Sequence, residues 1–177
     1  MRFQEMVASG RVAKAGVVHV KDRFLWSQGM TLWTRMDLIR VNYYTCVVGD
    51  HASAETIAQQ IGSTPFTCQG EVYLSGTARL LPHVHKKPSR SQKTKVVDIH
   101  LTVDAMRATC TMPVDGIFLA SGDGDYEELL AEVGRSGKQA YLAAFSSGLE
   151  ERLKTRVEQF VDLDQIFFES ANDAHAV

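Results

Sequence analysis

The run GIFLAS, residues 116–121, is apolar at almost every step and does not alternate, which is the pattern of a strand covered on both faces. A second such run, AYLAAF, occupies residues 140–145. Between them Tyr126, Leu129, Leu130 and Val133 recur at helical spacing, and Gly134 or Gly137 can end the helix. Two strands of this type joined by one short helix require a right-handed βαβ crossover and parallel pairing. The expected fold class is α/β: a parallel-sheet, Rossmann-like, three-layer α/β/α sandwich.

The rest of the chain extends the alternation. IRVNYYTCVV, residues 39–48, is rich in β-branched and aromatic residues and reads as a strand. Asp50 and Ser53 then offer capping oxygens, Ala54, Ile57, Ala58 and Ile61 line one helix face, and Gly62 closes it. EVYLSG, residues 71–76, is a short strand. Residues 79–95 carry six Lys and Arg and no acid, with Pro82 and Pro88, and read as a mobile basic loop. From Thr94 a helix has Val97, Leu101, Ala105 and Ala108 on one stripe and Ile99, Val103, Met106 and Cys110 on another, as a mostly buried helix would. Leu149, Leu153, Val157 and Phe160 suggest a last helix, and QIFF (165–168) a last strand. Residues 1–38 carry no single pattern: Phe3, Met6 and Val7 fit a helix, VVHVKDRFLW (17–26) a strand, and the stretch from Trp26 to Trp33 neither.

At 177 residues, the chain is expected to be one domain, residues 1–177. Lys and Arg number 19 against 21 Asp and Glu, so a polyanion partner would have to be held by a local basic patch. Cys46, Cys68 and Cys110 are scattered, without CxxC spacing, which argues against a disulfide scaffold or structural zinc and for a reducing, cytoplasmic compartment. No segment has the apolar length of a signal peptide core or a membrane span.

In an open α/β sheet, ligands bind beyond the carboxyl ends of the strands, so the turn after GIFLAS is the first place to look for chemistry. It reads Ser121-Gly122-Asp123-Gly124-Asp125. Two carboxylates on a glycine-rich turn suit a hard cation such as Mg2+ or Mn2+. Asp125 can instead be a helix cap, with Glu128 three residues on; Asp123 has no evident structural duty. An EF-hand starting at Asp123 is excluded, because its sixth and twelfth positions are Glu128 and Gly134. Asp98 falls in the first turn of the helix after Thr94, as a ligand or as an acid that complements the helix dipole beside Lys95. Asp104 lies roughly 240° around that helix from Asp98 and can pair with Arg107. The basic segment, with Lys86, Lys87, Arg90, Lys93 and Lys95, is what a phosphodiester would want beside carboxylates, although a solvated loop is the plainer reading. His83 and His85 alone are a weak metal signal, and Cys46 reads as a small buried hydrophobe. No GxSxG, GxxxxGK[ST], GxGxxG or HExxH motif occurs.

The stretch from Lys95 to Phe168 resembles the NYN domain, a branch of the PIN-like metal-dependent ribonucleases. The resemblance is carried by KVVDIHLTVDAM (95–106), DGIFLASGDGDY (115–126), GKQAY (137–141) and DLDQIFF (162–168), with the Tyr43-Tyr44 strand upstream. It implies a metal site with Asp98, Asp123 and Asp125 and a fourth acid, Asp104, with Ser121 and Thr102 behind them. It implies Mg2+ or Mn2+ as cofactor and RNA, single-stranded or structured, as partner, held by Lys86, Lys87, Arg90, Lys93 and Lys95.

One feature of that family is missing from the pattern. Its first strand ends in an Asp, usually within D-x-x-N, and no D-x-x-N precedes Asn42. Either Asp22 takes that place, or the strand is encoded upstream of Met1, with MRFQEMV as the helix that follows it. A surface left by such a strand could be covered by a second copy in a homodimer. Two functions compete: a metal-dependent endoribonuclease, and a non-catalytic PIN-like module that binds RNA or protein with an incomplete acidic site. A Mg2+-dependent phosphatase is a third, without a nucleophilic Asp motif to support it.

Overall fold

Apolar strand runs separated by helices pair in parallel, and the structure, a computed structural model describing residues 2–32, 37–67, 78–89 and 94–170, contains both the runs and the pairing. In chain order the elements are α1 (Arg2–Ala8), β1 (Val18–Val20), β2 (Phe24–Trp26), α2 (Gly29–Leu32), β3 (Asn42–Val48), α3 (His51–Ser63), β4 (Pro65–Phe66), β5 (Ala78–Arg79) and β6 (Leu81–Lys87). They continue with α4 (Val96–Thr111), β7 (Gly116–Ala120), α5 (Glu127–Arg135), β8 (Gln139–Ala144), β9 (Gln159–Asp162) and α6 (Leu163–Phe167). Two 3-10 turns, Gly124–Tyr126 and Glu151–Arg156, lie among them. The chain gathers into two units, residues 1–14 with 100–177, and residues 15–99. The α/β class with parallel sheets is the one expected from sequence.

The unit of residues 1–14 and 100–177 is built on a parallel sheet of order β7-β8-β9, with Leu119 beside Leu142 and Leu142 beside Phe160. The α5 helix forms because Glu127 and Glu128 open it and Arg135 closes it, matching the helix dipole, while Leu129, Leu130 and Val133 line one face. It stops at Gly137, whose φ of +74° a side chain would resist; Gly134 stays inside the helix. That face packs with Leu119, Leu142 and Leu153 into a core to which Leu101, Ala105 and Met106 of α4 add. Phe3 of α1 stacks on Phe168 at 5.1 Å between centroids.

The unit of residues 15–99 holds three paired sets. β1 and β2 form an antiparallel hairpin turned at Asp22, whose φ of +59° is one that aspartate tolerates. β4 and β5 pair antiparallel. β3 and β6 pair in parallel, with α3 as their connecting helix, capped by Asp50, which accepts from Ser53 N–H at 2.9 Å. Tyr43, Thr45 and Val47 point to the face that carries the hairpin: Tyr43 meets Phe24 edge-on at 4.9 Å and Thr45 Oγ1 donates to Arg23 O.

Several expectations need correction. VVHVKDRFLW is a hairpin, because Asp22 turns the chain in its middle. Residues 79–95 are not simply a loop: β6 runs through Pro82 because Leu81 N–H bonds to Val41 O, so the nitrogen of the next residue points away from β3 and no donor is missed. Of the two apolar stripes on α4, only part packs; Ile99 and Val103 are 57% and 48% exposed. The last helix is a 3-10 turn that buries Leu153, and Phe160 belongs to β9. QIFF is mostly helical, because Asp162 caps α6 by accepting from Asp164 N–H at 2.9 Å. α3 runs one residue past Gly62. The strand expected at residues 71–76 lies outside the described residues.

Candidate functional site

The turn after β7 is shaped by close backbone approach. A Cβ on Gly122 would lie 2.8 Å from Gly148 O, a backbone atom, so that position needs the smallest residue, whereas one on Gly124 would meet only the side chains of Arg152 and Glu150. Asp123 caps the 3-10 turn: its Oδ1 accepts from Asp125 N–H at 3.0 Å, and its own N–H donates to Ser121 Oγ at 3.3 Å. Asp123 thus has a capping duty of its own, on the 3-10 turn that leads into α5. Tyr126, at the start of α5, gives no side-chain cap. Both carboxylates are exposed, while Gly124 and Tyr126 between and beyond them are buried. Ser121, Asp123 and Asp125 are thus held on one turn by a connected set of hydrogen bonds.

Asp104 is engaged elsewhere, accepting from Arg107 Nη1 at 2.6 Å on the surface of α4. Thr102 is half-buried on the same helix. Asp98 sits in the first turn of α4, where Thr94 Oγ1 also accepts from Val96 N–H at 3.3 Å. It belongs to the unit of residues 15–99, and Asp104, Asp123 and Asp125 belong to the other.

In its own unit Asp98 lies near Cys46 and Lys87. Burial pushes the Cys46 thiol up, Lys87 draws it down and Asp98 raises it again, so Cys46 stays protonated and acts as the small hydrophobe its sequence suggested. Lys86 is exposed at the end of β6, Lys87 half-buried beside it, and Lys95 exposed before α4. Arg90 and Lys93 lie outside the described residues.

Carboxylate oxygens are the donors a hard divalent ion takes, so Asp98, Asp123 and Asp125 fit Mg2+ or Mn2+ in kind. Among the described residues, no group of three or more His, Cys, Asp or Glu is placed to hold a metal. Sequence reasoning missed Asp162, the last residue of β9, and Asp164 just beyond it, at the same carboxyl edge as the Ser121–Asp125 turn. Asp164 is buried and accepts from Ser146 and from Arg11, so it ties the end of β8 to α6. The signal was available, since DLD after an apolar strand is a capping pattern.

Parallel α/β units with an acidic turn at a strand's carboxyl end define the general class. Residues 38–164 match the NYN domain, and the chain belongs to that family, of PIN-like, generally metal-dependent nucleases. Among solved structures, one from Vibrio parahaemolyticus, a protein of unknown function, is similar at 18% identity and a TM-score of 0.47, covering 74% of this chain and 72% of that one. No curated protein gives a significant match. No helix among the described residues is long and apolar enough to cross a membrane.

Proposed function

We propose that residues 1–177 act as one NYN domain that hydrolyses RNA phosphodiester bonds in the cytoplasm, with Asp98, Asp123 and Asp125 as oxygen donors to Mg2+ or Mn2+. Membership of the family over residues 38–164 is the observation that carries this reading. Such an ion, when bound, lowers the pKa of a coordinated water and offsets charge on the leaving oxygen. The chain's own residues supply the rest. Asp123 commits one carboxylate oxygen to Asp125 N–H, which orients the other and fixes the turn. Ser121, bonded to Asp123 N–H, supports it. Lys86, Lys87 and Lys95, with Arg90 and Lys93, attract the phosphate backbone, so binding should weaken with salt. Asp104, held by Arg107, acts at a distance through its charge.

A second reading, a module that binds RNA without cutting it, is supported by the structural duties of the acids: Asp123 caps a turn and Asp104 pairs with Arg107. Cleavage of a labelled single-stranded RNA with Mn2+ or Mg2+ separates the two. Metal-dependent cleavage lost in both Asp98→Asn and Asp123→Asn supports the nuclease. Salt-sensitive RNA binding without cleavage by the wild type supports the module.

A further inference from the structure

The parallel register of β3 and β6 sets Tyr44 beside His83, and the two rings stack with centroids 4.4 Å apart and planes inclined by 15°. Neither sequence segment alone suggests this, since no aromatic residue lies between Tyr73 and Phe118. His83 is held further by Asn42, with its Nε2 donating to Oδ1 at 3.1 Å. The pair lies on the face opposite Tyr43, Thr45 and Val47, and alternation along β6 puts Lys87 on that same face. Cys46, two residues along β3 from Tyr44 and therefore roughly 7 Å away, is the residue that senses both Lys87 and Asp98. One sheet face thus carries a fixed ring stack, a cation and a nearby carboxylate. Among the described residues no strand lies beyond β6, so the stack runs toward an edge of its sheet.

We propose that Tyr44 and His83 form a base-stacking platform for single-stranded RNA, on which an unpaired base continues the stack past His83 while Lys87 meets the adjoining phosphate. The inference rests on the reading that the chain acts on RNA. It narrows that reading to strands with exposed bases, because a base inside a duplex has no face to offer. The charge argument points the same way: residues 79–95 carry six cations and no acid, which suits a polyanion rather than an acid-seeking or apolar partner.

The test is binding of the full chain to a labelled ten-nucleotide oligouridylate in EDTA, by fluorescence anisotropy, beside the same strand with abasic riboses. One stacked base is worth about 1–3 kcal/mol, so His83→Ala should weaken oligouridylate binding about 5- to 150-fold and leave abasic binding nearly unchanged. His83→Phe, which keeps a ring, should bind within about threefold of wild type, and Tyr44→Ala should behave as His83→Ala. Thermal melts of each variant show whether the fold persists. Equal losses for both strands, unchanged binding in His83→Ala and Tyr44→Ala, or no RNA binding by the wild type would each overturn the platform. Because EDTA silences metal-dependent cutting, the two proposals fail separately: a wild type that does not cleave but still discriminates the abasic strand through His83 loses only the hydrolytic reading.

Discussion

Asp164 accepts two hydrogen bonds from Ser146, one from its backbone N–H at 3.1 Å and one from its hydroxyl at 2.7 Å. A third contact comes from Arg11 Nη1 at 3.2 Å, so a buried carboxylate joins the segment after α1, the end of β8 and the start of α6. Asp164→Ala leaves the Ser146 donors without an acceptor and should lower the free energy of unfolding by about 3 kcal/mol in urea melts. Ser146→Ala should cost about 1 kcal/mol, and the double variant should cost less than the sum, since both act on one network.

At Asp123 the charge and the cap can be separated. Asp123→Asn keeps an oxygen for Asp125 N–H and should change stability by less than about 0.5 kcal/mol, while Asp123→Ala should cost about 1 kcal/mol. RNA cleavage should be lost in both variants. Activity retained in Asp123→Asn would reduce this carboxylate to its cap.

The glycines differ by their surroundings. Gly122→Ala forces a Cβ to within 2.8 Å of a backbone carbonyl and should destabilise by about 1–3 kcal/mol. Gly134 sits inside α5 with nothing within 4 Å of the added carbon, so Gly134→Ala should stabilise by about 0.5 kcal/mol. Thermal denaturation of the two variants should move in opposite directions.

Tyr43 gives a pH signature. Burial pushes its phenol up to about 12, and the hydrogen bond it accepts from Leu25 N–H at 2.9 Å offsets this in part. The folded value is raised, so this contribution to stability is complete below the ordinary value of 10.0 and is lost as the pH rises through about 12. Ultraviolet titration of the folded protein should show one tyrosine ionising only near that pH, and Tyr43→Phe should abolish the late step.

The second half of the chain was readable because its signals are local. GIFLAS, AYLAAF and the α5 stripe each declare their state by composition and period, and all three elements formed. QIFF and β6 were misread because tertiary context decided them. Asp162 converts an apolar run into a capped helix, and pairing with β3 carries a strand through Pro82. In the candidate site, the pair Asp123 and Asp125 was visible as a motif, but the capping duty of Asp123 was not, because it depends on the torsion angles of a turn. Tyr44 and His83 stand far apart in sequence and meet only through strand register, which no local pattern encodes.

That β6 is a strand changes how its cations count. Charges on a pliant segment would form a diffuse cloud that must be ordered each time a polyanion arrives, whereas β6 fixes Lys86 on one face and Lys87 on the other, the latter in line with the His83 and His85 rings at roughly 7 Å steps. The ordering is completed when the chain folds, which lowers the entropy cost of capture and makes these side chains a ruler rather than a sponge.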